Sequence, residues 1–414
     1  MRRLAVVLVL VLLPASARAS ALDLFGYGAR SPGLAGTGAS YTDSYDALYT
    51  NPAGLAYARR TRLSVGFMAA DYHVRIASRS REVDRVYGIV IGGDVPIPFG
   101  GALRDRVSFS MGIHVPPTLL SRARSPFPSD PFLALVENRG QVVAFMLGFG
   151  ARITRTVAAG VGVISLAALG GQIDVSADAS RRFTSTAEQQ LLIDAAPVLG
   201  VRWTPRPRLA LGLVFRGESK TPFDILVTNM IGDALPVTLP AIRVRGFAQY
   251  DPSMVELEGS YHLSPRLHAI AALAWKHWSS YPPPTEDPVI DAPARPRPGF
   301  SDTFVPKLAA RYFVRPCTEL RAGYRLELTP APEQTGRENL LDNTRHILTL
   351  GAGWQLLAGS VPLRFDVYLQ GHFLQTRRHH KDQTLDPADR DPNWIRISSG
   401  GQLLVGGFTM GVDL

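Results

Sequence analysis

Between Val255 and Leu263 apolar and polar residues alternate: Val255, Leu257, Gly259, Tyr261 and Leu263 are interleaved with Glu256, Glu258, Ser260 and His262. Successive side chains of a strand point to opposite faces, so this stretch has one greasy face and one charged face, sets that helical spacing would mix. The pattern returns where Leu320, Ala322, Tyr324 and Leu326 alternate with Glu319, Arg321, Gly323, Arg325 and Glu327. It returns again where Leu363, Phe365, Val367 and Leu369 alternate with Arg364, Asp366, Tyr368 and Gln370. The chain is 46% hydrophobic, yet beyond residue 21 no uninterrupted apolar run is long enough to cross a bilayer as a helix. Strands with one greasy face can cross lipid only as a closed ring, which pairs every backbone N–H and C=O between neighbours. The pattern therefore predicts an all-β chain forming a transmembrane antiparallel barrel.

The first residues read as an export signal: Arg2 and Arg3 precede the apolar run Leu4 to Leu13, and Ala17-Arg18-Ala19 offers a small-x-small cleavage site. Residues 1–19 are thus expected to be a signal peptide, and the address is the outer membrane of a Gram-negative cell. The lone Cys317 excludes an intrachain disulfide, and no cysteine follows the signal to carry a lipid anchor. The formal charge of +9 is spread along an exported chain, which argues against nucleic acid. Basic groups at the rim would meet lipopolysaccharide phosphates and membrane lipid, or simply solvent.

Further strand candidates are Thr61 to Val74, Val86 to Val95, Arg106 to Val115, Gln141 to Ile153, Val157 to Val175, Leu191 to Trp203 and Arg208 to Arg216. Then come Ile242 to Tyr250, Arg266 to Trp278, Phe304 to Val314, Arg345 to Leu357 and Gln402 to Leu414. That makes about fifteen runs, whereas closure with both ends on one side requires an even number, so one run is miscalled or split. Gln141 to Ile153, Val157 to Leu169 and Arg266 to Trp278 are apolar on both faces, which predicts an apolar or covered lumen there, where a greasy ligand could sit. The final alternation of Phe408, Met410, Val412 and Leu414 matches the signal read by the outer-membrane assembly machinery, with Leu in place of the usual terminal aromatic. Pro-rich Tyr281 to Phe300 and polar Arg377 to Asn393 read as outward loops. Trp275, Trp278, Tyr281 and Trp394 read as an interfacial girdle.

The segment Gly28-Ala29-Arg30-Ser31-Pro32-Gly33-Leu34-Ala35-Gly36-Thr37-Gly38, closed by Asn51-Pro52-Ala53-Gly54-Leu55, resembles the N-terminal hatch of FadL-type outer-membrane transporters of long-chain fatty acids and other hydrophobic compounds. Later stretches are similar to the same family: Leu239-Pro240-Ala241 leading to Trp275-Lys276-His277-Trp278-Ser279, and Leu320-Arg321-Ala322-Gly323-Tyr324 leading to Thr329-Pro330-Ala331-Pro332 and Leu341-Asp342-Asn343-Thr344-Arg345. The resemblance implies fourteen strands, a hatch over residues 20–58 folded inside a barrel over residues 59–414, capture of cargo among the outer loops, and sideways release through the wall. Physical logic agrees with the hatch. Gly33, Gly36 and Gly38 allow close packing in a crowded lumen, and Pro52 holds Asn51 out of helix before Ala53.

The candidate cargo-binding residues are Phe25 and Tyr27 for an inner pocket, as the resemblance implies, and Phe127, Phe132, Leu133 and Leu135 for an outer capture site, since apolar clusters on loops need a partner. Either set could instead be packing. Arg243, Arg245, Glu256, Glu258, Arg311, Arg321, Arg325 and Arg364 fall on polar faces and are expected in the lumen. They form cross-strand ion pairs there, or one or two of the arginines, Arg243 and Arg245 among the candidates, fork onto a carboxylate. Asp382, Asp386, Asp389 and Asp391 with His379 and His380 match no metal-site spacing. No hydrolase or nucleotide motif appears, so no catalytic residue, cofactor or metal is expected. The expected function is passive passage of long-chain fatty acids or related hydrophobic molecules; the rival is a hydrophilic porin or a structural barrel.

Overall fold

A computed structural model describes residues 21–117, 130–137, 143–177, 183–230, 242–285, 295–387 and 395–414. The expected signal peptide, Phe127, Asp389, Asp391 and Trp394 lie outside the described residues. In chain order the wall strands are β1 (Arg62–Ile76), β2 (Val86–Pro96), β3 (Val107–Val115), β4 (Ala144–Arg152), β5 (Val157–Ala177), β6 (Phe183–Arg206) and β7 (Leu209–Arg216). They continue as β8 (Met254–His262), β9 (Leu267–Lys276), β10 (Thr303–Arg315), β11 (Thr318–Glu327), β12 (Arg345–Ala358), β13 (Val361–His380) and β14 (Arg396–Asp413). Each pairs antiparallel with the next, and β1 closes on β14 from Arg62 opposite Asp413 to Ile76 opposite Ser399. The result is a closed 14-stranded ring.

The fifteenth candidate run, Ile242 to Tyr250, is not part of the wall. It belongs to a hairpin of strands Ser219–Met230 and Ile242–Asp251, whose first strand pairs in parallel with Leu169–Ser176 of β5. The wall bypasses this hairpin: β7 pairs directly with β8, Leu209 opposite Tyr261 and Arg216 opposite Met254. β5 and β6 have 21 and 24 residues, more than the ~10 a tilted membrane strand needs, and the excess carries the hairpin beyond the ring.

The C-terminus, the start of β1 and the turns at residues 153–156, 207–208, 263–266, 316–317 and 359–360 lie at one end of the ring, and Gly359 there has a φ of +64° that suits glycine. At the other end β3, β9, β11 and β13 finish and β4, β10, β12 and β14 begin. We call these the turn end and the loop end.

The alternation resolves into an inside and an outside. Leu257, Leu273, Phe304, Leu308, Leu350 and Leu369 are exposed on the outer face, while their neighbours Glu256, Glu258, Lys276, Lys307, Arg321 and Gln370 are buried inward. Apolar side chains outside and charges inside reverse the layout of a soluble sandwich, and only a lipid surround stabilises that arrangement. Trp203 and Tyr312 are exposed near the turn end, as girdle residues would be. Trp278 and Tyr281, expected in the girdle, instead turn inward and are buried with Leu135, Phe247, Tyr250, Phe300 and Ala331. That makes them packing residues of the loop end.

Candidate functional site

The interior of the ring is occupied by the chain's own N-terminal segment, residues 21–58. It holds four short helical turns, Ala21–Phe25, Pro32–Leu34, Ala47–Thr50 and Pro52–Tyr57. It is almost wholly buried. Its partners lie on strands all around the ring: Tyr27 Oη donates to Ile91 O of β2, Asn51 Nδ2 to Val201 O of β6, Thr349 Oγ1 of β12 accepts from Ala35 N, and Gln370 Nε2 of β13 donates to Phe25 O and Pro32 O. A segment that touches strands on opposite sides of a closed ring lies within it.

Glycine-rich wall strands make room. A Cβ on Gly160 would sit 2.1 Å from the Pro52 carbonyl carbon, and one on Gly200 would sit 1.9 Å from Asn51 Oδ1. These distances explain why the strands from Gln141 and Val157 are apolar on their inner faces: Leu48, Pro52 and Leu55 of the segment cover them.

Asn51 organises the closing motif. Its side chain caps the turn at Pro52–Tyr57 by accepting from Ala53 N at 3.0 Å, and donates to Ala39 O at 2.7 Å. Ala53 and Asn51 are fully buried. Gly36 and Gly38 have positive φ, +74° and +158°, and Gly33 packs with its Cβ position 3.2 Å from Gly351 Cα. The segment is also braced internally, with Arg30 forked onto Asp46 at 2.6 and 3.0 Å and held to Asp43 at 2.7 Å.

Charged anchors tie the segment to the wall. The Glu258 carboxylate accepts from Gly38 N, Ala39 N and Ser40 N at 2.7, 3.0 and 2.9 Å and from Ser40 Oγ at 2.6 Å. Lys276 Nζ lies 2.8 Å from Asp23 and 3.0 Å from Glu327, and Glu327 in turn meets Arg345 at 2.7 Å. Lys307 bridges Glu256 at 2.6 Å and Gly36 O at 3.0 Å. Arg321 sits between Glu319 and Asp366, with Arg311 on Glu319 and Arg364 on Asp366. In the lumen Glu256, Arg311, Arg321, Arg325 and Arg364 are thus in ion pairs, whereas among the described residues Glu258 is not. Sequence reasoning missed the special position of Glu258, whose partners are backbone amides.

Other expected site residues are distributed differently. Phe25 packs edge-on to Tyr72 and His372, and Tyr27 edge-on to Tyr45, all of them buried. Phe132–Leu133 pairs with Leu340–Leu341. Leu133 shares a core with Phe25, Phe132 packs with Leu340, and Leu135 joins the aromatic cluster around Trp278. The three loop residues are buried in three separate clusters, so they do not form one exposed capture patch. Arg243 and Arg245 lie on the hairpin outside the wall, contrary to the lumen position expected for them. Arg243 is exposed and forks onto Asp224 at 2.6 and 2.8 Å. Alternation identified a two-faced strand there, but not which structure it belonged to. Among the described residues no group of three or more potential metal ligands converges, and His379 is buried, accepting from Gln334 N at 3.0 Å.

Fold and lumen together define a class: a lipid-facing barrel whose interior is filled by its own N-terminal segment. No protein-family model and no curated protein matches the chain by sequence. Among solved structures, a Pseudomonas aeruginosa FadL homologue matches with a TM-score of 0.63 at 14% identity, over 93% of this chain and 97% of that one. The P. putida toluene transporter TodX matches at 0.60 and 16% identity, over 95% and 99% of the two chains. The CymD monoaromatic hydrocarbon channel matches at 0.57 and 13%, over 95% and 98%. The chain has the fold of the FadL- and TodX-type transporters.

Proposed function

We propose that this protein is an outer-membrane channel for passive uptake of hydrophobic molecules, long-chain fatty acids foremost, with residues 20–58 as a hatch. The carrying observation is the filled lumen: an apolar-faced ring whose interior is occupied by a segment held through hydrogen bonds and ion pairs rather than a continuous strand ladder. Such a segment can shift without breaking the wall, whereas a steady water-filled pore is incompatible with it. The solved structures of this fold, described as toluene transporters and monoaromatic hydrocarbon channels, support hydrophobic cargo as the class. The loop end faces outward, the turn end faces the periplasm, and cargo leaves sideways through the wall.

The test is uptake of labelled oleate and toluene by Gram-negative cells lacking their own transporters, with the intact protein or with Asn51, Pro52 and Ala53 each replaced by glycine. Removing the Asn51 cap and the fixed φ of Pro52 should abolish regulated uptake at equal surface amounts. No uptake of either compound by the intact, properly inserted protein would overturn the reading.

A further inference from the structure

At the turn end a cavity of about 410 Å³ opens between the N-terminal segment and the inner wall. Its size falls in the ~300–1,000 Å³ range of small-ligand pockets. Tyr41 and Tyr57 supply aromatic walls, and Arg59, Arg60, Arg62 and Arg202 line it. Of the carboxylates that share the cavity, Asp413 is on Arg62 at 2.5 Å and Asp43 on Arg30 at 2.7 Å, while Asp94 accepts from Ser110 at 2.8 Å through one oxygen and its other oxygen is buried without a hydrogen-bond partner among the described residues. Among the described residues Arg59, Arg60 and Arg202 have no carboxylate at ion-pair distance. The cavity therefore carries uncompensated positive charge.

Arg202 is the group best set to use it. Its guanidinium lies 4.3 Å over the Tyr57 ring, and it donates to Thr42 O at 3.2 Å, while its Nε has no hydrogen-bond partner. Stacking fixes the plane of the fork before any ligand arrives, so little entropy is lost on binding. A smaller adjoining cavity, about 130 Å³, shares Tyr41 and Asp43 and adds Arg321, a fully buried side chain whose Nη1 is also unpartnered. Planar donors beside aromatic walls match a ligand with a planar anionic head and an apolar body.

We infer that the turn-end cavity binds the carboxylate head of an apolar acid, with Arg202 as the fork, Arg59 and Arg60 closing over it, and the tail along Tyr41 and Tyr57. The inference rests on the proposed passage of hydrophobic molecules only for where the acid comes from. It places an acidic cargo at the mouth itself, in addition to sideways release.

Cys317 is the only cysteine, is exposed, and lines the adjoining cavity. A polarity-sensitive fluorophore attached there in the purified full-length protein reads binding without any transport. Decanoate should shift the emission saturably, and decanol should not. Arg202→Gln should weaken decanoate by about tenfold, the scale of one charge-assisted fork, and Arg202→Lys should restore only part of it. Should Arg202→Gln fail to fold, exposed Arg60→Gln carries the test, with about threefold weakening expected for a looser contact. Equal response to decanoate and decanol, indifference to the arginine variants, or displacement of decanoate by equimolar sulfate would each overturn the assignment. Decanoate binding in a protein that takes up neither oleate nor toluene would sink the transport reading and leave this one standing; uptake without decanoate binding would do the reverse.

Discussion

Glu258→Ala is the sharpest perturbation of the segment's hold on the wall. The carboxylate is fully buried and accepts four hydrogen bonds from Gly38, Ala39 and Ser40. Charge-assisted bonds contribute about 1.5–3 kcal/mol each, so four set a ceiling of roughly 6–12 kcal/mol. Two effects reduce that figure: the variant no longer buries a carboxylate, and water entering the vacated space solvates the freed amides. A net loss of about 3 kcal/mol remains, which raises local opening on the order of 100-fold. Hydrogen exchange followed by mass spectrometry, on protein in lipid nanodiscs, should show protection at Gly38–Ser40 falling by about two orders of magnitude while the β8 and β9 amides hold. Glu258→Gln, which keeps one acceptor oxygen, should fall between. Unchanged protection at these amides, or a loss spread evenly over the wall, would refute the anchoring role.

Arg243→Gln should leave oleate and toluene uptake unchanged, because Arg243 pairs with Asp224 on an exposed hairpin and such pairs are worth about 0–1 kcal/mol; a large loss of uptake would return Arg243 to the passage. Asp342 is buried, and burial raises its carboxyl above the ordinary range, with Arg345, the Thr329 hydroxyl and the Asn343 amide opposing. An acid with a raised folded pKa holds its proton more tightly folded than unfolded. Stability is therefore complete below about pH 3.9 and is lost as pH rises from there through the folded value. Asp342→Asn should flatten that dependence and raise Tm at pH 7, and a lower Tm at pH 7 would show instead that the charged form is favoured by Arg345.

The wall was legible because lipid outside and charge inside give each strand two chemically opposite faces; Val255 to Leu263 displays this in nine residues. The same signal produced the extra run, since Ile242 to Tyr250 is also two-faced, and alternation carries no information about which sheet a strand joins. Arg243 and Arg245 went astray for that reason. The position of the N-terminal segment came from the resemblance of its Gly-rich run and Asn51-Pro52-Ala53 to a transporter hatch; the glycines needed for close approach agree with it but do not by themselves place it. The role of Glu258 was not, because its ligands are amides more than two hundred residues away, and a backbone N–H leaves no mark in the sequence. Nor could adjacency along the chain show that Phe132, Leu133 and Leu135 would be drawn into three different clusters.

The central claim is that cargo passes only when the N-terminal segment yields. Ala35 Cβ lies 2.9 Å from the Cβ position of Gly323, inside the ~3.8 Å of a disulfide, and Ala35 N and Leu34 C are equally close, so the segment's backbone must draw back from β11 for a bridge to form, and uptake by the reduced protein shows whether that displacement alone matters. Uptake of labelled oleate and toluene should be measured for Ala35→Cys with Gly323→Cys and Cys317→Ser, oxidised and then reduced. The account predicts uptake blocked by oxidation and restored by reduction. Equal uptake in both states, with the bridge verified by mass spectrometry, would contradict it.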